Sequence, residues 1–159
     1  MRAIVVAMIA AFGAAFFAAP VSAQDRHAGY YYPEAHSSEV YYPRATALPE
    51  ANRDRRLGFV VGVTQSQMRE PYPMTHVIFA KGAEAEKLII VALQDGYFDT
   101  IYRARAFLAA LTASARSTPI FADLKAETSY TFFDLAVLLG FEQITISDGK
   151  TFSHQITFE

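Results

Sequence analysis

His76 and His154 each stand in the apolar phase of an alternating stretch, His76 between Met74 and Ile78, His154 between Phe152 and Ile156. An imidazole so placed either bonds to backbone inside a core or helps to line a small polar pocket. If the fold brings the two together, with Glu142 or Asp148 close by, they form a ligand pocket. Two histidines lacking a third placed ligand make a poor metal site, so no metal and no cofactor is expected. The other histidines, His27 and His36, fall in a proline-containing stretch and read as solvated. The chain has no cysteine, which removes thiol catalysis and disulfides together. It also lacks the Gly-x-Ser-x-Gly elbow, the phosphate-binding P-loop, the His-Glu-x-x-His pair and the Gly-x-Gly-x-x-Gly loop. No catalytic residue is assigned.

A second group is aromatic. Tyr30-Tyr31-Tyr32-Pro33 is echoed by Tyr41-Tyr42-Pro43. Residues 24–55, with Pro33, Pro43 and Pro49, show neither helical nor strand periodicity and are expected to be an extended or disordered arm. Its tyrosines either tether the arm to its own domain or dock a partner, since tyrosine couples a large apolar ring to a polar tip. Arg53, Arg55 and Arg56 close the arm and read as a solvated positive run, with a membrane-surface contact as the alternative.

The amino terminus has the form of an export signal: Arg2, an apolar segment Ala3 to Ala19, and a small-x-small site at Val21-Ser22-Ala23. Cleavage after Ala23 leaves a periplasmic or secreted protein with no integral membrane segment; retention as an anchor is the alternative. Loss of Arg2 leaves 13 basic against 16 acidic residues, a formal charge of −3. That balance argues against nucleic acid as a partner, because phosphate binding needs clustered positive charge. Residues 56–159 suffice for one apolar core.

The elements that must position these side chains follow from periodicity. Leu57 to Thr64 alternates large and small residues and reads as a strand; Met74 to Ala80 and Leu88 to Leu93 read as two more, the last apolar on both faces and therefore interior. Thr100 to Arg116 carries Ile101, Ala104, Leu108, Leu111 and Ala115 on one helical stripe. Thr131 stands three before Asp134 as a capping box for a second helix over Phe132 to Leu139, with Gly140 as its stop. Ile144 to Ser147 and Phe152 to Phe158 alternate about Asp148-Gly149 and predict a hairpin. The order β-β-β-α-α-β-β predicts an α+β two-layer sandwich: a five-stranded, largely antiparallel sheet with two helices on one face. The strand from Lys87 and the helix ending at Arg116 form its structural spine.

Phe79-Ala80-Lys81-Gly82-Ala83-Glu84-Ala85-Glu86-Lys87-Leu88-Ile89-Ile90, Tyr102-Arg103-Ala104-Arg105-Ala106, and Thr131-Phe132-Phe133-Asp134-Leu135 through Ser147-Asp148-Gly149 carry a resemblance. From about Arg44 to Glu159 the chain resembles a family of small exported bacterial proteins without an established activity. Some members carry the name molybdopterin-guanine dinucleotide biosynthesis protein A, a cytosolic GTP:molybdopterin guanylyltransferase. That name implies a nucleotide loop after Val60-Val61-Gly62, near Ser66, Met68 and Arg69. Here the glycine pair of such a loop is missing, its basic residue and methionine are transposed, and Glu70-Pro71-Tyr72-Pro73 follows in place of a helix whose amides could meet phosphate. The resemblance carries over no catalytic residue. The expectation is an exported, non-enzymatic binding or interaction domain whose partner is an envelope protein or a second copy. A nucleotide-binding enzyme, or a small-ligand pocket at His76 and His154, is the alternative.

Overall fold

Apolar residues at alternate positions around Ile78, Ile90 and Ile146 become one face of a sheet. A computed structural model describes residues 35–116 and 129–159, all within one compact unit. In chain order the described elements are β1 (Ser37–Tyr41), α1 (Arg53–Arg69), β2 (His76–Lys81), β3 (Lys87–Ala92), α2 (Ile101–Arg116), α3 (Phe132–Leu138), β4 (Gln143–Ser147) and β5 (Ser153–Phe158). The strands form one five-stranded sheet in the order β1-β5-β4-β3-β2. Pairing is antiparallel in the hairpins β2–β3 and β4–β5, and parallel between β3 and β4 and between β1 and β5.

The register sets the core. Ile78 pairs with Ile90, Ile90 with Ile146, and Ile146 with His154; one step along, Leu88 pairs with Ile144 and Ile144 with Ile156. Leu88, Ile90, Ile144, Ile146 and Ile156 are fully buried. Above them lie Phe98, Ala104, Phe107 and Leu108 from α2 and the turn before it, and Phe132, Leu135 and Leu139 from α3 and its end. Burying side chains of this size contributes about 1.5–3 kcal/mol each, so this row is the main source of stability.

The α+β class is as the sequence indicates, but three details differ. The sheet is mixed. β3 and β4 are neighbours joined by a connection that includes α2 and α3, and a helical crossover returns the chain parallel to its first strand. The stretch expected as a strand over Leu57 to Thr64 lies within α1, making three helices among the described residues. Asn52 caps this helix by accepting the Arg55 N–H at 3.0 Å, and its inner face uses Arg56, Phe59, Val60, Val63 and Gln67, a helical spacing hidden beneath the alternation. The first strand is Ser37–Tyr41, inside the expected arm, whose boundary at residue 55 falls within α1.

The chain from Pro43 to Asn52 is fixed to α3. Asp134 Oδ1 accepts the backbone N–H of Arg44 at 2.7 Å and of Ala45 at 3.2 Å, while Oδ2 accepts the Thr131 N–H at 2.7 Å. The expected capping box is present, and its carboxylate also holds a distant segment. Arg56 is buried rather than solvated: Nε donates to the Glu84 carbonyl at 2.9 Å and Nη1 to the Gly140 carbonyl at 3.0 Å.

Candidate ligand cleft

α1 packs on β2, and between it, β3, α2 and α3 lies a cleft of about 950 Å³. Its floor is Ile78, Leu88 and Ile90. Phe59 and Val63 of α1, Leu111 and Ala115 of α2, and Phe132 and Leu135 of α3 form the walls. Gly58 and Gly62, one turn apart on α1, also line it, and a methyl group placed on either would meet nothing within 4 Å. Arg55 and Glu70 mark the two ends of α1 along the cleft, so it runs for roughly 22 Å at the helical rise.

Polar groups gather near Glu70, where Ser66, Gln67 and His76 join the lining. Gln67 Nε2 lies 2.9 Å from His76 Nε2 and donates to the His76 carbonyl at 3.3 Å; Thr75 Oγ1 lies 3.0 Å from His76 Nδ1. The imidazole packs edge-on to Phe107, centroids 4.7 Å apart. Burial pushes its pKa below the ordinary histidine value. Gln67 Oε1 is buried without a hydrogen-bond partner.

His154 belongs to another site. β3 and β4 lie between its strand and that of His76, a separation of roughly 14 Å at ordinary strand spacing, so the two histidines share no pocket. Glu142 and Asp148 do not line the cleft either. His154 is 3% exposed and faces β1 across the parallel pair. Its Nδ1 lies 2.8 Å from Ser37 Oγ, and its Nε2 lies 3.2 Å from Glu39 Oε1 without hydrogen-bond geometry. Glu39 Oε2 accepts from Arg105 of α2 at 3.0 Å. Burial raises the Glu39 pKa, but the close approach of the His154 imidazole and the hydrogen bond and charge of Arg105 outweigh it and hold the carboxyl below its usual range. The cluster ties the edge strand to β5 and α2. The sequence signal available for it was Ser37-x-Glu39, two polar residues on one face of a strand.

Of the tyrosines expected to dock a partner, Tyr30, Tyr31 and Tyr32 lie outside the described residues, as does the signal segment. Tyr41 packs against Phe133 and Phe158, with centroids 4.5 and 6.4 Å apart, so its ring serves its own core. Tyr42 is 72% exposed. Val60 to Arg69, where a nucleotide loop would fall, is helix throughout. Among the described residues no group of three His, Cys, Asp or Glu is arranged to hold a metal, and no helix is long and apolar enough to cross a membrane.

Family models, curated proteins and solved structures yield no match to this chain. Gln67 and Gly58 were not singled out by the sequence, and Gly62 entered only as the start of the implied nucleotide loop, because their place in a cleft depends on α1 being a helix and on which face it buries.

Proposed function

We propose that the protein is an exported, non-enzymatic binding domain that takes an elongated apolar ligand into the cleft beneath α1. The observation that carries this reading is the pair Gly58 and Gly62. Glycine inside a helix costs about 1 kcal/mol relative to alanine, and no steric need of the chain itself requires it at either position. What the two glycines provide is room along the cleft wall. A mainly apolar channel with a few polar groups, here Ser66, Gln67, His76 and Glu70 near one end and Arg55 at the other, is the usual form of a small-molecule site.

The test is a titration with N-phenyl-1-naphthylamine, whose fluorescence rises in apolar surroundings. Saturable binding is expected for the wild type. Gly62→Leu should reduce it at least tenfold by filling the cleft while leaving thermal stability equal or higher. Binding unaffected by Gly62→Leu in a folded variant would sink the reading. Export is checked by the mass of the mature protein, expected to begin at Gln24.

A second reading, enzymatic, is favoured by the hydroxyl–imidazole pair of Ser37 and His154, the arrangement by which a base activates a nucleophile. Diisopropyl fluorophosphate would then label Ser37, and His154→Ala would abolish the labelling. An envelope protein or a second copy as partner is a further element of the binding reading, with Val40 and Tyr42, at the end of the edge strand β1, as the exposed surface.

A further inference from the structure

We infer that the cleft selects a single-chain amphiphile whose head is a hydrogen-bond donor, such as an alcohol, a primary amide or an amine, over one ending in a carboxylate; this rests on the reading of the cleft as a ligand site.

The argument begins with the Gln67 amide. Its nitrogen and oxygen are told apart by their partners, and one partner leaves no choice: the His76 backbone carbonyl can only accept, so the group 3.3 Å from it is the NH₂. The same nitrogen lies 2.9 Å from His76 Nε2. An amide nitrogen does not accept, so Nε2 carries the lone pair and the ring proton sits on Nδ1. That N–H is directed at Thr75 Oγ1, 3.0 Å away. Burial favours this neutral ring. Both Gln67 N–H groups and the His76 ring N–H are thereby given acceptors, and the amide is left with its own acceptor, Gln67 Oε1, buried and unpartnered.

An orphaned buried acceptor is costly, and a ligand that supplies a donor removes that cost whereas one that supplies another acceptor adds to it. Two neighbours reinforce the choice. Gln67 stands in the last turn of α1, the negative end of the helix dipole, and Glu70 lines the same end. Arg69 is in that turn but does not line the cleft. The single-chain form follows from shape: a channel lying along α1, walled mainly by apolar side chains, with Ser66, Gln67, His76 and Glu70 at one end, while Arg55 at the other end is paired with Glu50 at 3.0 Å.

The experiment is displacement of N-phenyl-1-naphthylamine from the full-length protein at pH 8 by four twelve-carbon competitors below their micelle concentrations: 1-dodecanol, dodecylamine, dodecyl methyl ether and dodecanoate. The alcohol and the amine are expected to displace the probe at concentrations at least tenfold lower than the ether and the carboxylate. Gln67→Met, which keeps the length and removes the acceptor, is expected to bring the alcohol and the ether within twofold while still binding the probe. Equal displacement by all four in the wild type, or a preference for dodecanoate, overturns the donor selection and leaves the cleft reading standing. Discrimination that persists in Gln67→Met, with thermal unfolding like the wild type, overturns the role of Gln67. Absence of saturable probe binding defeats both.

Discussion

Asp134 shows how one side chain can join remote parts of a fold. The residue is fully buried. Burial alone would raise its pKa, but the Thr131 and Arg44 N–H groups, the Thr131 hydroxyl and the Ala45 N–H hold it below the usual carboxylate value. A carboxyl depressed in the folded state stabilises it fully above the unfolded value of about 3.9, and that contribution is lost as pH falls through the window below it. Asp134→Ala strands three backbone donors and is expected to cost about 3 kcal/mol, with a much reduced loss of stability between pH 4 and acid, read by urea denaturation across pH. His76 has the opposite chemistry and the same sign. Its folded pKa lies below its unfolded value near 6.5, so the unfolded chain takes up the proton first. Stability is full above about pH 6.5 and declines as pH drops below it. Replacing His76 with Gln should flatten that slope relative to the wild type, measured by thermal unfolding in matched buffers.

At the scale of elements, α1 is held by contacts at its start rather than by propensity. Asn52 supplies the cap, and buried Arg56 bonds to carbonyls at Glu84 and Gly140. Gly140 in turn has φ of 80°, the left-handed region in which only glycine is free of penalty. A methyl group on it would stand 2.5 Å from Arg56 Nη1 and 3.0 Å from the Ala51 side chain. Gly140→Ala is therefore expected to cost about 3 kcal/mol, combining backbone strain with displacement of the guanidinium. Arg56→Ala in the Gly140→Ala background should recover part of that loss, a double-mutant cycle that isolates the clash.

At the scale of the molecule, β1 lies at one sheet edge and β2 at the other, so the chain between them must cross the whole sheet. It does so along α3, through the Asp134 bonds and the Leu48 N–H to the Leu138 carbonyl at 3.1 Å, and then as α1 over the cleft. A deletion of residues 24–53 removes β1, the strap bonded to Asp134 and the Asn52 cap together. Such a protein is expected to lose cooperative thermal unfolding by circular dichroism, which distinguishes an integrated strand from a detachable arm.

The sequence by itself determined the elements whose signals are local. Thr131 and Asp134 mark a helix start because both partners of the capping box lie within one turn. The 143–158 hairpin is legible because its strands alternate about Asp148-Gly149, which opens the five-residue connection from Asp148 to Phe152, and α2 because its apolar stripe repeats at helical spacing. Tertiary structure decided what depended on distant neighbours. Leu57 to Thr64 satisfies both a two-residue and a helical period, and only the Asn52 cap and the buried bonds of Arg56 select the helix. The parallel pairing of β1 with β5 joins residues more than a hundred positions apart, which no local pattern encodes. His76 and His154 were equivalent in sequence phase, yet strand order put two strands between them, one beside a cleft with Gln67 and the other in an edge cluster with Ser37 and Glu39. Phase fixes the face of a sheet on which a side chain lies; the order of strands, set by packing and by the crossovers, fixes what it meets there.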